Sequence, residues 1–298
     1  MNRLILFILS LILIAILGCS KKPHPPKWYY NVYNSNEYLF ATGSAYDKDT
    51  AVKNALSNIA SQLNVNVSSN LIINKGQHQN YYFKDFYKEV NTKVKNLPIT
   101  NYKIVKLAKD DINYYVLIKV SKKDIATTYK NKIEDDLHKV KELITSTKGF
   151  DSVVNSYKAL KILKEAETLN NIYQQLTSDK TFNQKIITLM DKINYIIKKN
   201  KFKIISNNTL FKLYTAKVLT KYVKVSNNSS QKIKLKVFIK KQYILNQYVV
   251  NGKALLYLGS RIIEVNFIGK SYSSYNDAVQ FALKDYESKL QDKLSSLF

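Results

Sequence analysis

The stretch from residue 38 to residue 63, YLFATGSAYDKDTAVKNALSNIASQL, predicts a strand followed by a closely packed helix. Residues 38–45 form the predicted strand, which runs into a turn at Gly43. Asp47 and Asp49 then supply an N-cap and a negative first turn for the helix. Because much of the apolar face of this helix is alanine, we expect its backbone to lie close against a sheet. The face consists of Ala51, Val52, Ala55, Leu56, Ile59, Ala60 and Leu63.

Alternating apolar residues predict further strands after this helix. The first covers residues 65–73. Residues 102–107 and 114–120 flank Asp110-Asp111-Ile112-Asn113, a pattern typical of a β-hairpin. Residues 81–94 fit either a helix face or an alternating strand. The N-terminal part is therefore predicted to contain a strand, a helix and several further strands.

Three helices are predicted in the middle of the chain, because the apolar period changes from two to about 3.6 residues after Lys122. Gly149 ends or interrupts the first of them. We expect these helices to form antiparallel hairpins. Their apolar faces are Ile125, Tyr129, Ile133, Leu137, Val140 and Ile144, then Val153, Tyr157, Leu160, Leu163, Ala166 and Leu169, then Phe182, Ile186, Met190, Ile193 and Ile197.

The C-terminal part returns to strand patterns and ends in one more helix. Turn-forming residues at 227–230 and at Asn251-Gly252 are predicted to separate strands. The predicted strands are residues 202–205, 210–225, 232–245, 254–258 and 262–268, and the helix buries Ala278, Val279, Ala282, Leu283, Tyr286, Leu290, Leu294 and Leu297. We therefore predict an α+β fold with an N-terminal strand-helix-strands domain, a helical middle segment, and a C-terminal antiparallel sheet with a packed terminal helix.

A short internal similarity links the two ends of the chain. AVKNAL at residues 51–56 matches AVQFAL at residues 278–283. Each follows a glycine, Gly43 or Gly269, by a few residues. The similarity records either a duplicated strand-helix unit or a chance recurrence of a short Ala/Leu helix face.

The N-terminus is typical of a lipoprotein signal segment. Arg3 precedes an apolar run over residues 4–17, which is interrupted only by Ser10. This run is shorter than the about 20 apolar residues of a membrane-spanning helix. We expect cleavage after Gly18 and lipidation of Cys19. Because Cys19 is the only cysteine, the chain forms no internal disulfide.

A short tether follows the lipidated cysteine. Residues 20–27 are rich in proline and lysine, which favours an extended backbone. Ser20 is not the aspartate associated with retention in the inner membrane. We therefore expect anchoring in the outer membrane through the N-terminal lipid, with the body in the periplasm.

The chain is strongly basic, with a formal net charge of +25. Such a charge favours nucleic acid or an anionic surface as a partner. Nucleic acid is not expected, since an exported lipoprotein rarely meets it. Residues 192–263 contain no Asp or Glu, and alternation there places lysines on one face of a strand and apolar side chains on the other. The candidate basic surface consists of Lys232, Lys234, Lys236, Lys240 and Lys241.

Two interpretations of this basic surface stay open. The lysines bind an anionic envelope polymer, such as the phosphates of lipopolysaccharide or the carboxylates of peptidoglycan. Alternatively, they reflect the codon usage of an AT-rich genome and keep an ordinary edge strand soluble.

The sequence lacks the patterns that catalysis or metal binding would need. His24, His78 and His138 have no second ligand at metal spacing, and no Gly-rich phosphate loop is present. Paired acids at residues 110–111 and 134–136 would suit a glycoside hydrolase. The first pair lies in an expected turn and the second on an exposed helix face, so we expect both to be solvated. We predict no catalytic residue, no metal and no cofactor.

Four motifs of the N-terminal part form a recognisable set. They are Pro26-Lys27-Trp28, the stretch 39–45, the helix with Ala51, Ala55 and Ala60, and the strand 114–118. Together they resemble the Lpp-twenty lipoprotein family of Gram-negative bacteria over roughly residues 28–123. The resemblance implies an outer-membrane lipoprotein without catalytic residues, with flagellum association as one candidate role.

These observations predict the organisation and two candidate functions of the chain. The first is a non-enzymatic structural or assembly lipoprotein of the envelope, with self-association as one candidate mode. The alternative is a periplasmic binding module that recruits or activates a peptidoglycan enzyme through the basic surface. The predicted segments are a signal peptide at 1–18, a lipidated tether at 19–27, an Lpp-twenty-like α+β domain at 28–123, a helical segment at 124–200 and a basic α+β domain at 201–298.

Overall fold

A computed structural model shows the chain as two compact units. Of the described residues, those up to Thr127 form the N-terminal unit and those from Thr128 form the C-terminal unit. The predicted lipidation site Cys19, the predicted strand at 65–73 and the ambiguous segment 81–94 lie outside the described residues. The structure describes residues 24–64, 99, 101–145 and 148–298.

The N-terminal unit contains β1 (Tyr38–Ala45), α1 (Lys48–Asn64), β2 (Tyr102–Lys109) and β3 (Tyr114–Ser121). The three strands form an antiparallel sheet in the order β1-β3-β2. Helix α1 packs on β1 and β3. It is capped by Asp47, whose Oδ1 accepts the backbone N–H of Thr50 at 2.8 Å. The predicted strand, helix and hairpin are therefore confirmed.

Gly43 allows α1 to lie directly on β1. A Cβ atom at this position would be 2.9 Å from the Cβ of Ala55. It would be closer still to the backbone carbonyl oxygen of Ala51 and the backbone nitrogen of Ala55. Ala51 and Ala55 are both fully buried, so the small-residue face of the helix meets a strand position without a side chain.

Three amide side chains of α1 bind the backbone of β1. They are spaced by four residues along the helix and donate to the carbonyl oxygens of alternate strand residues, which point to the same side of a strand. The bonds join Asn54 Nδ2 to Ser44 O at 2.9 Å, Asn58 Nδ2 to Thr42 O at 2.8 Å and Gln62 Nε2 to Phe40 O at 2.9 Å. The helix is thus held to the edge of β1 by hydrogen bonds as well as by its apolar face.

The segment before β1 covers the other face of this sheet. Lys27–Tyr29 form a single 3-10 turn. The hydroxyl group of Tyr29 lies 3.0 Å from Ser44 Oγ, and its ring centre lies 5.3 Å from that of Tyr115. Trp28 is half-buried beside it, with 6.5 Å between the ring centres of Trp28 and Tyr29. The residues that follow the tether are therefore part of the folded unit.

Lys122 fastens one end of the β1–β3 pair. Tyr38 at the start of β1 pairs with Ser121 at the end of β3. The backbone N–H of Lys122 donates to the carbonyl oxygen of Glu37 at 2.9 Å, and its Nζ donates to the carbonyl oxygen of Ser35 at 2.8 Å. The chain therefore enters β1 and leaves β3 at the same, doubly bonded end.

Three helices follow, α2 (Lys122–Thr145), α3 (Gly149–Thr177) and α4 (Asn183–Lys199). Helices α3 and α4 pack against each other. Near their connection the ring centres of Tyr173 and Phe182 are 5.7 Å apart. Ser178 ends α3 in the left-handed conformation, with its N–H bonded to the carbonyl oxygen of Gln174. The predicted helical middle segment is confirmed.

The remaining elements are β4 (Lys201–Ser206), α5 (Thr209–Leu219), β5 (Lys224–Val225), β6 (Lys232–Ile244), β7 (Gln247–Leu258), β8 (Arg261–Ser271) and α6 (Tyr275–Ser295). The strands form one sheet in the order β5-β4-β6-β7-β8. Strands β6, β7 and β8 are antiparallel, as predicted. Strand β4 differs, because it pairs in parallel with β5 and with β6.

The predicted strand at residues 210–225 is wrong, because α5 occupies most of it. Asn208 caps this helix, and its Oδ1 accepts the N–H of Phe211 at 3.2 Å. The buried residues of α5 lie at helical spacing and are Phe211, Thr215, Val218 and Leu219. The β-branched and aromatic composition of the segment favours a strand, but burial of this helical face outweighs it.

The turn predicted at Asn251-Gly252 is also wrong, because both residues lie inside β7. The turn between β6 and β7 is Leu245-Asn246, whose φ angles are 51° and 58°. Asn-Gly is the typical signal for a two-residue hairpin turn. Here the glycine serves another purpose, because a Cβ atom on Gly252 would overlap the backbone carbonyl of Phe238 on the neighbouring strand.

An aromatic cluster fills the core between the C-terminal sheet and its helices. The ring centre of Phe211 lies 4.6 Å from that of Phe267 and 5.0 Å from that of Tyr286. The hydroxyl groups of Thr215 and Tyr286 are 2.7 Å apart. Since Thr215 already donates to the carbonyl oxygen of Phe211 at 2.7 Å, the Tyr286 hydroxyl is the donor between the two. Burial raises the pKa of Tyr286 to about 12.

The internal sequence similarity occupies matching positions in the two units. A Cβ atom on Gly269 of β8 would be 2.9 Å from the Cα of Ala282, and closer to the carbonyl oxygen of Ala278 and the nitrogen of Ala282. These are the contacts that Gly43 makes with Ala51 and Ala55. In both units a glycine of an edge strand therefore lies beneath the first two turns of the next helix.

A hydrogen bond joins helix to strand at the same place in both strand-helix units, but the donor is on the helix in one unit and on the strand in the other. Asn58 of α1 donates to the carbonyl oxygen of Thr42 at 2.8 Å. Asp285, at the corresponding place in α6, accepts the backbone N–H of Ile268 at 2.9 Å. The common geometry favours duplication of a strand-helix unit over a chance match of alanines.

The predicted α+β fold is confirmed by these elements. Among the helices of the described residues, none combines the length and the apolar character that crossing a membrane requires.

Candidate basic surface of the C-terminal sheet

Strand β6 has one buried face and one basic face. Ile233, Leu235 and Val237 are buried in the core beneath the sheet. The residues between them, Lys232, Lys234 and Lys236, are all exposed on the opposite side, which we call the open face. The period of two along this strand therefore determines where these three charges lie.

The other two candidate lysines lie farther along β6, where it extends past β4. The pairing of β4 with β6 ends at Leu235, and the Asn207 side chain then binds both the N–H and the carbonyl oxygen of Val237. Lys240 continues the alternation onto the open face. Lys241 points to the other side, where its Nζ lies 5.7 Å from the ring centre of Tyr275. The structure thus brings four of the five lysines onto one face and separates Lys241 from them.

Cross-strand neighbours extend the open face on both sides of β6. Lys203 of β4 pairs with Lys232. It adds a fourth ammonium group to those of Lys232, Lys234 and Lys236 at the start of β6. On the other side Tyr257 of β7 pairs with Lys234. The Nζ of Lys236 lies 5.9 Å from the ring centre of Tyr257, within reach of a cation–π interaction.

Sequence reasoning missed the apolar part of the open face. Four large apolar side chains are exposed between or beside the lysines, namely Ile205, Phe238, Ile262 and Ile268. The sequence contained a signal for Phe238, because it occupies one of the alternate positions of β6 that otherwise hold lysines. The other three come from β4 and β8, and their position on this face depends on strand register.

Positive charge on the open face is largely uncompensated. Glu264 is exposed there and its Oε2 lies 3.7 Å from the Nζ of Lys253. Within the part of the chain that the structure describes, no carboxylate lies within 4.0 Å of the ammonium groups of Lys232, Lys234 or Lys236. These side chains are therefore available to an anionic ligand.

A shallow groove of about 590 Å³ runs across the hairpin side of the sheet. Its lining includes the lysines Lys240, Lys253 and Lys289 and the apolar residues Phe238 and Ile268. It is open to solvent over most of its area. Such a shape suits a polymer chain or a surface better than an enclosed small molecule.

The paired acids are not assembled into a catalytic pair. Asp110 closes the β2–β3 turn and accepts the N–H groups of Ile112 at 2.9 Å and Asn113 at 2.7 Å. These backbone bonds, together with the hydroxyl of Tyr115, lower the pKa of Asp110. Asp110 therefore acts as a turn former.

The acids of α2 differ from the expectation that all of them are solvated. Glu134 and Asp135 are exposed, but Asp136 is buried. Asp136 contacts the Nζ of Lys132 one turn earlier. Burial raises the pKa of Asp136, while Lys132 acts in the opposite direction. The periodic spacing did not reveal this because Asp136 lies at the border between the polar and apolar faces of the helix.

No metal site is formed within the described ranges, where no three His, Cys, Asp or Glu side chains come together. His138 is exposed beside Glu142, with 3.6 Å between Nδ1 and Oε1. His24 is exposed near the start of the described chain. His78 and the predicted lipidation site Cys19 lie outside the described residues.

A protein-family model, that of the LPP20 lipoprotein, matches residues 26–121. These residues are therefore similar to the LPP20 lipoproteins, over about a third of the chain. The match confirms the resemblance to the Lpp-twenty lipoproteins and covers β1, α1, β2 and β3. The LPP20 match supports a lipoprotein of the cell envelope, in agreement with the predicted lipoprotein signal segment. The LPP20 lipoproteins are not a known enzyme family.

Most of the chain also resembles a solved structure. This is the secreted protein HP1454 from the human pathogen Helicobacter pylori, with 15% sequence identity and a TM-score of 0.54. The similarity covers 88% of this chain and 98% of HP1454. It shows a common fold that extends beyond the LPP20 match. None of the curated proteins matches the chain.

Proposed function

We propose that the chain is a non-enzymatic outer-membrane lipoprotein with a structural or assembly role in the cell envelope. The observation that carries this proposal is the LPP20 match, which begins at residue 26, in the last residues of the predicted tether that follows the lipobox. Cys19 carries the lipid and the body lies in the periplasm. The C-terminal open face supplies a basic contact surface for an anionic envelope polymer.

Lipidation gives the proposed protein a lasting attachment. Each buried methylene contributes about 0.8 kcal/mol, so two or three acyl chains on Cys19 exceed the marginal binding of a single chain. The tether of residues 20–27 then confines the body to a thin layer beside the membrane. A basic face in this layer meets envelope polymers at a high effective concentration, so weak contacts suffice.

The first experiment replaces Cys19 with alanine and follows the protein by cell fractionation. We expect the wild-type protein in the outer-membrane fraction and the variant in the soluble periplasmic fraction. Retention of the variant in the membrane fraction would show that lipid on Cys19 is not the anchor. Wild-type protein found only in the inner membrane would contradict the proposed destination.

The second experiment sediments the unlipidated mature chain, carrying Cys19→Ala, with purified sacculi or with lipopolysaccharide. We expect binding at low salt that weakens at high salt, because exposed charges are screened. Replacing Lys232, Lys234 and Lys236 with glutamine should reduce it about tenfold or more. The matched control replaces Lys141, Lys192 and Lys293, three exposed helix lysines, and loses the same charge. Equal losses in both variants would mean that net charge, and not the open face, governs binding.

A second candidate function is a periplasmic binding module that recruits or activates a peptidoglycan enzyme. The mixture of lysines and apolar side chains on the open face favours it, because protein partners use both kinds of contact. Crosslinking in cells followed by purification separates the two functions. Oligomers of this chain, with a motility defect on deletion, support the structural role. A crosslinked peptidoglycan enzyme, with altered sacculus composition and normal swimming, supports the alternative.

A further inference from the structure

The hairpin formed by β6 and β7 ends in an exposed apolar tip. Leu245 is 90% exposed, Tyr243 is 57% exposed and Ile244 is 46% exposed. Hairpin tips are normally polar, since turns are built from Gly, Asn and Asp. Three consecutive large apolar residues at the most accessible point of a strand pair therefore need an explanation.

The backbone of the tip adds a second anomaly. Leu245 and Asn246 both have positive φ angles, 51° and 58°. A two-residue hairpin turn of this kind favours Asn or Gly at both positions. Leucine is disfavoured there, because its Cβ atom crowds the backbone in the left-handed conformation. Leu245 thus weakens the turn and is not buried in the folded chain. A contact between its side chain and another molecule would explain why leucine stands at this position.

A layer of tyrosines lies just below the tip. Tyr243 pairs with Tyr248 across the hairpin, with ring centres 5.0 Å apart. Tyr248 in turn packs on Tyr275 at 4.8 Å. Tyr272, in the connection that follows β8, is 75% exposed at the same end of the sheet. The hairpin is therefore braced by aromatic contacts at its base and presents hydroxyl groups around them.

Lysines form the next layer. Lys240 and Lys241 are exposed on β6, and Lys270 is exposed on β8, where it pairs with Val249. Asp277, at the start of α6, accepts a hydrogen bond from Ser274, whose Oγ lies 2.8 Å from its Oδ2. From the tip inward, the hairpin therefore has a layer of aliphatic side chains, then a layer of tyrosines and then a layer of lysines.

This order matches the layers of a bilayer surface. Aliphatic side chains favour the hydrocarbon boundary, tyrosines favour the interface, and lysines reach anionic headgroups with their long side chains. Each lysine near an anionic surface adds favourable energy. A second copy of this chain would satisfy the apolar tip, but three lysines brought against three lysines would repel each other.

We propose that the β6–β7 hairpin tip, Tyr243–Leu245, inserts into the surface of an anionic lipid bilayer. The inference extends the proposed function, in which the lipid on Cys19 keeps the chain beside a membrane. It gives the C-terminal unit its own membrane contact. Lys240 and Lys241 of the candidate basic surface lie in this tip contact, whereas Lys232, Lys234 and Lys236, the lysines replaced in the sacculus test, lie farther along β6.

The first test measures binding of the unlipidated mature chain, with Cys19→Ala, to vesicles of equal parts phosphatidylcholine and phosphatidylglycerol. We expect co-sedimentation that falls about tenfold or more with Leu245→Ser, because burial of one leucine side chain is lost. The matched control is Ile262→Ser, an equally apolar change at another exposed position of the sheet. Loss of binding in the control, or full binding by Leu245→Ser, overturns the proposal.

The second test measures insertion directly. Because Cys19 is the only cysteine, the Cys19→Ala chain accepts a single new cysteine for labelling with an environment-sensitive fluorophore. At Leu245 we expect a blue shift with vesicles and quenching by lipids that carry a quencher in the acyl chain. At Asn228, in the exposed turn before β6 and roughly 40 Å from the tip along the strand, we expect neither. Equal signals at both sites, or none at Leu245, overturn insertion.

The outcomes also separate this inference from its rivals. If Leu245→Ser instead converts a dimer to a monomer in analytical ultracentrifugation and vesicles are not bound, the tip is an interface between copies. Binding to vesicles of phosphatidylcholine alone, undiminished by high salt, overturns the role of the lysines. Sacculus binding and the release of the Cys19→Ala chain do not depend on Leu245. The proposed function can therefore fail while the hairpin inserts, and the reverse also holds.

Discussion

Replacing Gly43 with alanine tests the packing that joins β1 to α1. The added Cβ atom would lie 2.9 Å from the Cβ of Ala55, whereas ordinary contacts of this kind are 3.4–4 Å. It would be closer still to backbone atoms of Ala51 and Ala55. Backbone atoms inside a helix cannot rotate away as a side chain can. The whole helix must therefore move off the strand by about 1 Å.

The size of the effect follows from that movement. Overpacking of a core typically costs about 1–3 kcal/mol, and the upper end applies where no side chain can yield. A gap approaching 1 Å also forfeits up to about half of the dispersion energy between the facing atoms. We expect the free energy of unfolding of the N-terminal unit to fall by about 3 kcal/mol. In a small domain this corresponds to a midpoint lowered by more than about 10 °C.

Tryptophan fluorescence during urea unfolding measures this effect. Trp28 is the only tryptophan of the chain and lies in the N-terminal unit, so its emission reports on that unit. Ser57→Ala, on the exposed side of α1, is the control and should change the free energy of unfolding by less than about 0.5 kcal/mol. A Gly43→Ala chain with the midpoint of the wild type would refute the argument that this glycine sets the distance between helix and strand.

Three further predictions concern stability. Gly269→Ala should lower the thermal midpoint measured by circular dichroism, and Ala282→Gly should not rescue it, because the atoms that clash are backbone atoms. Asn58→Asp should lower the free energy of unfolding, measured by Trp28 fluorescence in urea, by about 1 kcal/mol, because a carboxylate cannot donate to the carbonyl oxygen of Thr42; an unchanged free energy would show that the bond is not formed in solution. Burial raises the pKa of Tyr286 to about 12 in the folded state. Above pH 10 the tyrosine therefore loses its proton first in the unfolded state, which favours unfolding. The free energy of unfolding should fall by roughly 1 kcal/mol per pH unit up to about pH 12. Tyr286→Phe should flatten this decline in urea unfolding at alkaline pH, and a slope equal to that of the wild type would contradict the assignment.

The sequence was most informative where one physical signal dominated. Ala51 and Ala55 at helical spacing, behind a strand with a glycine, predicted both elements and their close contact. Lys232 and Ile233 began an alternation that predicted which face of β6 is exposed. In both cases the pattern is set by burial on one side of an element, which a periodic sequence records directly.

The sequence was misleading where two signals competed. The segment that forms α5 carries residues that favour strands, and its helical state depends on burial of Phe211 against Phe267 and Tyr286 from other elements. Asn251-Gly252 has the composition of a turn, but its glycine is needed where two strands approach closely. Both errors arise because tertiary contacts, which no local window contains, decided the outcome.

The candidate site also has features that the sequence predicted and features that it did not. The charges of the open face follow from a period of two, so they could be predicted. The apolar residues beside them, such as Ile205 and Ile262, could not, because they reach this face only through the register of neighbouring strands. The tip at Leu245 escaped prediction because the typical turn signal lies six residues farther along the chain.

The bonded end of the β1–β3 pair has a mechanical consequence. If the chain is anchored at Cys19 as proposed, a force between that anchor and the C-terminal unit enters the sheet before Tyr38 and leaves it at Lys122, beside the paired residue Ser121. Because both points are at one end of an antiparallel pair, such a force peels the strands apart one pair at a time instead of shearing all eight pairs together. The hydrogen bonds from Lys122 to Glu37 and Ser35 lie at the end of the pair where the strands begin to separate, so they are the first to break. The initial resistance of the N-terminal unit to stretching therefore depends on this single lysine more than on the length of its strands.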